Sequence, residues 1–148
     1  MEGSARATSV IDFGLCDRTN AVHDLAHAIE RSIVEWLVLI NDPARPEQVP
    51  VHFDHLWGLL EGYESVRPLS YQEAMSLAPM TALCHAEFAL SETDYFLAVL
   101  HSEAKAYYAC EGYLVLHSKW WRGPGAALTE SLRSWATESQ RISREKAG

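Results

Sequence analysis

Asp12 ends the apolar, β-branched run Thr8-Ser9-Val10-Ile11, with Phe13 and Gly14 directly after it. A carboxylate at the end of a strand, followed by a glycine turn, offers an oxygen ligand to a hard divalent cation, as phosphoryl-transfer sites do for magnesium. Twelve positions further on, Asp24 stands in His23-Asp24-Leu25-Ala26, where it can cap a helix or accept backbone hydrogen bonds. His23 and His27 are four apart, a spacing that can bind zinc. No glutamate follows His23 as in His-Glu-x-x-His and no third ligand is evident, so the pair reads as structural or capping. Trp120-Trp121, with Tyr107, Tyr108 and Tyr113, either wall a ligand cleft, where aromatic faces attract cations, or pack the core. Cys16, Cys84 and Cys110 lack a paired base and read as buried, reduced thiols.

These residues need elements to hold them. Residues 8–13 have strand composition and stop at Gly14. Val22, Leu25, Ile29, Ile33, Trp36, Leu37 and Ile40 recur at steps of three and four, which predicts one helix over about 21–41. Asn41-Asp42-Pro43 ends it, and a proline-rich loop follows through Pro50. Asp54 is expected to cap a helix with Leu56, Trp57, Leu60 and Tyr63 on one side, ending at Arg67-Pro68. Ser70 and Glu73 form a capping-box pattern for the next helix, and Pro79 is expected to restart it as a second segment with Met80, Leu83, Cys84 and Phe88 inward. Further helices are expected around Tyr95, Phe96, Val99 and Leu100, over about 103–121, and after Gly123-Pro124-Gly125 with Leu128, Leu132 and Trp135. The charged tail beyond Ser139 is expected to fray. The fold class is therefore mainly α: one short N-terminal strand and five or six helices.

A length of 148 residues fits a single domain, 1–148, comprising a strand and first helix (8–41) and a helical part (52–138). With 48% hydrophobic and 22% charged residues, the chain can bury a core. A net charge of −8 repels a phosphate backbone, so nucleic acid is not an expected partner. The apolar run Trp36–Ile40 has five residues, against the roughly 20 a spanning helix needs. Residues 1–6 lack a signal-peptide pattern, so a cytoplasmic location is expected.

Ile11-Asp12-Phe13-Gly14 and, twelve residues later, Asp24-Leu25-Ala26 resemble the aminoglycoside phosphotransferase, choline kinase and homoserine kinase group of small-molecule kinases. The resemblance covers about residues 9–37, and the later helices match that group's substrate-side lobe in kind and order. It implies that Asp12 ligates the magnesium of ATP, that Asp24 and Gly14 support the metal-binding turn, and that Glu87, Glu92 or Asp94 can hold a cationic amine of the substrate. Those three carboxylates also read as a solvated acidic face. The family's His-Gly-Asp-x-x-x-x-Asn loop lies further upstream than the eleven residues that precede Asp12. The chain is thus expected to be a phosphotransferase fragment without catalytic loop or nucleotide lobe. Alone it would be inactive and would hold neither magnesium nor ATP tightly. Expected partners are a small-molecule substrate, the lobe itself or a second copy of the chain. The alternative is a non-catalytic helical module, or gene remnant, that needs a partner chain.

Overall fold

A computed structural model describes residues 20–147, with side chains described through Ser139. The strand expected at 8–13, and with it Asp12, Gly14 and Cys16, lies outside the described residues. The described chain is mainly helical, and its β pairing is a single antiparallel bridge between Val34 and Val51.

Helix α1 (Ala21–Ile33) starts where Asn20 accepts a hydrogen bond from the His23 amide, which satisfies one of the free N–H groups of the first turn. Its inward stripe is Val22, Leu25, Ala26, Ile29, Glu30 and Ile33. The single helix expected over 21–41 is interrupted. Val34 is extended (φ −112°, ψ 131°), and the chain resumes as α2 (Trp36–Asn41). The cause is tertiary: the Ile33 carbonyl accepts from the His52 amide, and the Glu35 amide donates to the Pro50 carbonyl. The Trp36 indole N–H also donates to the Glu30 carbonyl at 2.9 Å, using one of the acceptors left open at a helix end. The break shifts the helical phase, so Leu39 is buried while Leu37 is 72% exposed.

After the proline loop, which holds a short 3-10 turn at Pro46–Gln48, α3 covers Phe53–Val66. Here His52, not Asp54, occupies the N-cap position, and Asp54 falls within the first turn. Leu56 and Leu60 are buried as expected, and Trp57 is half-exposed at 39%. Tyr63 reaches back to donate to the Ala21 carbonyl at 3.3 Å, tying α3 to the start of α1.

Helix α4 (Tyr71–Asp94) opens with the expected capping box: the Glu73 amide donates to Ser70 Oγ, and the Ser70 amide donates to the Glu73 carboxylate. Arg67 lies beside Glu73, and chiefly for that reason the Glu73 carboxyl is held down at about 2, with the Ser70 hydrogen bonds adding to the effect. Pro79 does not restart the helix. It sits within a continuous α4 on the exposed face, where the carbonyl it leaves unpaired can meet water. The stripe Ala74, Leu77, Ala78, Thr81, Cys84, His85 and Ala89 stays buried on both sides of it, and that shared burial carries the helix through. Leu83, expected inward, is 60% exposed.

A π-helical segment, Tyr95–Val99, extends α4 before the chain turns at His101, whose φ of 49° is left-handed. Helix α5 (Glu103–Ala109), a π-helical stretch (Cys110–Leu116) and α6 (His117–Arg122) then run on without a break, close to the 103–121 helix expected. Gly123-Pro124-Gly125 turns into α7, whose helical backbone extends through Ala147, past the point where fraying was expected. Helix α4 is central, packed along α1 and α7. Around it Ile29, Ile33, Leu39, Leu56, Leu60, Leu77, Leu128 and Leu132 form a core with essentially no solvent exposure. No helix among the described residues is long and apolar enough to cross a membrane.

Candidate functional site

A buried charged pair lies where α1, α4 and the π-helical stretch meet. Glu30 and His85 are 1% and 2% exposed, positions where carboxylates and imidazoles are rare unless paired. His85 Nδ1 lies 2.6 Å from Glu30 Oε1, while its Nε2 lies 2.8 Å from the Tyr113 carbonyl oxygen and 2.9 Å from His117 Nδ1. The Tyr113 carbonyl can only accept, so His85 Nε2 carries hydrogen, and with Glu30 ionised Nδ1 carries one as well. This geometry pairs the Glu30 carboxyl group with the His85 ring inside the core. The second oxygen of Glu30 faces Arg31 Nε at 3.2 Å, as an ion pair without hydrogen-bond alignment.

His117 completes the chain. Accepting at Nδ1, it is the neutral tautomer with hydrogen on Nε2, and that buried Nε2 has no hydrogen-bond partner. Burial, and then the positive charge of His85, depress its pKa to about 3. Trp36 stacks on it with ring centroids 4.5 Å apart and planes within 17°. The interruption after Ile33 thus has a positional consequence, since it swings the Trp36 indole over the two histidines.

These side chains border a cleft of about 400 Å³, lined also by Glu35, Leu37, Phe88 and Tyr113. Arg31 crosses Phe88 with its guanidinium carbon 3.6 Å from the ring centroid, a cation–π contact at one wall. The cleft therefore combines aromatic faces with an exposed carboxylate at Glu35, which is 2.7 Å from His52 Nε2.

A pH signature follows from His117. In the unfolded chain an ordinary histidine takes up its proton near pH 6.5, whereas the folded chain keeps His117 neutral down to about pH 3. Between those values the unfolded state binds more protons, so stability falls as pH drops, with a limiting slope of about 1.4 kcal/mol per pH unit. Urea midpoints measured from pH 7 to 4.5 are expected to show this slope. His117→Asn, whose amide oxygen can still accept from His85, is expected to flatten it; an unchanged slope in that variant would overturn the assignment.

None of Glu30, His85 and His117 stood out in the sequence. The available signal was position: Glu30 falls within the α1 stripe between Ala26 and Ile33, and His85 within the α4 stripe beside Cys84. The residues that did stand out fall elsewhere. Asp24 sits in the first turn of α1 with its side chain 72% exposed, 3.9 Å from His23 Nδ1. Glu87 is exposed on α4. It lies against α1 with its Oε2 3.0 Å from His23 Nε2, and that hydrogen bond lowers its pKa. Glu92 is half-buried and Asp94 exposed further along α4. Trp120 is buried in the core, Trp121 half-buried, and Tyr107 and Tyr108 stand in solvent at 70% and 55% exposure, so the expected aromatic group is divided. Cys84 and Cys110 are free thiols, buried and half-buried respectively.

No protein-family model matches the chain, and no curated protein or solved structure shows significant similarity to it.

Proposed function

We propose that this chain is the helical, substrate-side part of an ATP-dependent phosphotransferase that phosphorylates a hydroxyl of a small polar molecule, such as an amino-sugar or amino alcohol. The observation that carries the reading is the paired motif, Ile11-Asp12-Phe13-Gly14 and Asp24-Leu25-Ala26 at a twelve-residue interval, with α1 starting between them at Ala21. The lined cleft behind α1 supports it. Its aromatic walls can hold a small molecule, and the net negative charge of the chain attracts an amine-bearing substrate. Magnesium and ATP belong to the complete enzyme. Asp12 is the residue of this chain that would hold the ion, and Asp24 would steady the turn from the helix start. The chain by itself is expected neither to turn ATP over nor to bind it tightly.

Reading all three frames of the DNA upstream of the Met1 codon tests this directly. An in-frame His-Gly-Asp-x-x-x-x-Asn loop is expected, and the longer product should phosphorylate amino alcohols or aminoglycosides in an Asp12-dependent manner. The absence of the loop from every frame would overturn the proposal.

A second reading, a non-catalytic helical module that requires a partner, is favoured by one observation. Of the twelve large hydrophobic side chains left exposed among the described residues, eight fall between Leu83 and Tyr108, around the end of α4 and the start of α5. That concentration is what an absent lobe or a second copy would cover. Dimerisation of a chain that lacks the loop would decide for the module.

A further inference from the structure

His23 and His27 lie one turn apart on α1, and Cys84 and Glu87 lie one turn apart on α4, which packs along it. The four donor atoms, one from each side chain, all lie within 4.8 Å of one another. We infer that these residues form a zinc site, His₂CysGlu, joining α1 to α4. It is distinct from the magnesium assigned to Asp12 and does not depend on the phosphotransferase reading.

Zinc takes four ligands tetrahedrally at about 2.0–2.3 Å, which places neighbouring donors about 3.3–3.8 Å apart, so a contraction of roughly 1 Å closes the largest gap. Both pairs are held on helices at i,i+4 and i,i+3 spacing, so little reorganisation is needed beyond side-chain rotation. A thiolate, two imidazoles and one carboxylate suit zinc or cobalt, whereas magnesium and calcium require an all-oxygen set. The third and fourth ligands, which the local spacing of His23 and His27 does not contain, come from some sixty residues away.

The ion-free geometry leaves capacity unused. His23 Nδ1 is buried without a hydrogen-bond partner, and His27 meets His23 edge-on while facing the charge of Glu87. The Cys84 thiol makes a long hydrogen bond to the His23 carbonyl, at 3.8 Å. Burial, with the negative charges of Glu87, Glu30 and Asp24, pushes that thiol up to about 11. A divalent cation reverses this field. On binding, the S–H bond breaks, sulfur donates to the metal, and one proton passes to solvent.

The test is a titration of chelator-stripped chain with Zn²⁺ and, as a spectroscopic probe, with Co²⁺. One equivalent per chain is expected, with release of about one proton in weak buffer and a near-ultraviolet thiolate-to-cobalt charge-transfer band. Cys84→Ser is expected to abolish the band. His27→Ala, at a half-buried position, should retain helical circular dichroism and lose at least about 10-fold in zinc affinity. His55→Ala, in the separate group His52, Asp54 and His55, should leave both unchanged. Absence of the band from the native chain, its survival in C84S, or undiminished zinc affinity in H27A would each overturn the proposal.

Discussion

Replacing Glu30 with alanine is expected to remove about 3–5 kcal/mol of folding stability, a large part of the roughly 5–15 kcal/mol a domain of this size holds. The reason is the charge left behind. His85 is 2% exposed, and its two nitrogens face the Glu30 carboxyl group, a carbonyl and an imidazole, so an ionised Glu30 holds a protonated ring against it. Without Glu30 the ring either stays charged with no counter-ion in the core, or sheds its Nδ1 proton and keeps Nε2–H for Tyr113, leaving Nδ1 buried without a partner. Arg31, 45% exposed, would turn to water and add nothing. Glu30→Gln keeps an oxygen for His85 Nδ1–H and removes only the charge, so it is expected to lose less than E30A. Urea unfolding of the three chains at pH 7 measures the difference. An E30A midpoint equal to that of the native chain would show that the pair is not compensating a buried charge.

Trp120→Ala is expected to cost a similar amount, about 3–5 kcal/mol, by a different route. The indole is 1% exposed and packs edge-on against Trp36, with centroids 4.9 Å apart, and against Trp121 at 5.2 Å. Gly125 lies so close to its six-membered ring that a Cβ at 125 would occupy the ring's own space, which is why the turn into α7 carries glycine there. Truncation leaves a void bordered by rigid neighbours that cannot collapse into it. The loss reaches the cleft because Trp36, deprived of its edge contact, is the ring that stacks on His117. W120A is therefore expected to lower the urea midpoint and to weaken near-ultraviolet circular dichroism from the aromatic group. Gly125→Ala should also destabilise, by about 1–3 kcal/mol, because the ring must move to admit the methyl group. Loss of stability in G125A without loss in W120A would contradict this packing.

Much of the helical framework could be read along the chain, because its determinants are local. The Ser70–Glu73 box, the stop at Arg67-Pro68, the Gly123-Pro124-Gly125 turn and the apolar steps of α1 each involve residues within one or two turns of each other. The departures arise where distant chain decides. Periodicity alone carries a helix through Val34. What ends it is backbone pairing with the segment Pro50–His52, which a local pattern does not contain. Pro79 is a helix breaker by its own chemistry, yet α4 continues because the buried stripe on either side of it is common to one packing surface.

The site shows the same division more sharply. By itself the sequence determined a mainly helical chain, the start of α1, and a motif pair whose Asp12 lies outside the described residues. It also marked His23 and His27 as a pair of imidazoles on one helix face. The tertiary structure alone decided that Glu30 meets His85 across 55 residues, that His85 meets His117 across 32, and that Cys84 and Glu87 face the two histidines of α1. The physical reason is that a buried ionisable group is tolerated only beside its partner, and that partner is chosen by which helices pack together, a property of the whole chain rather than of spacing within a segment.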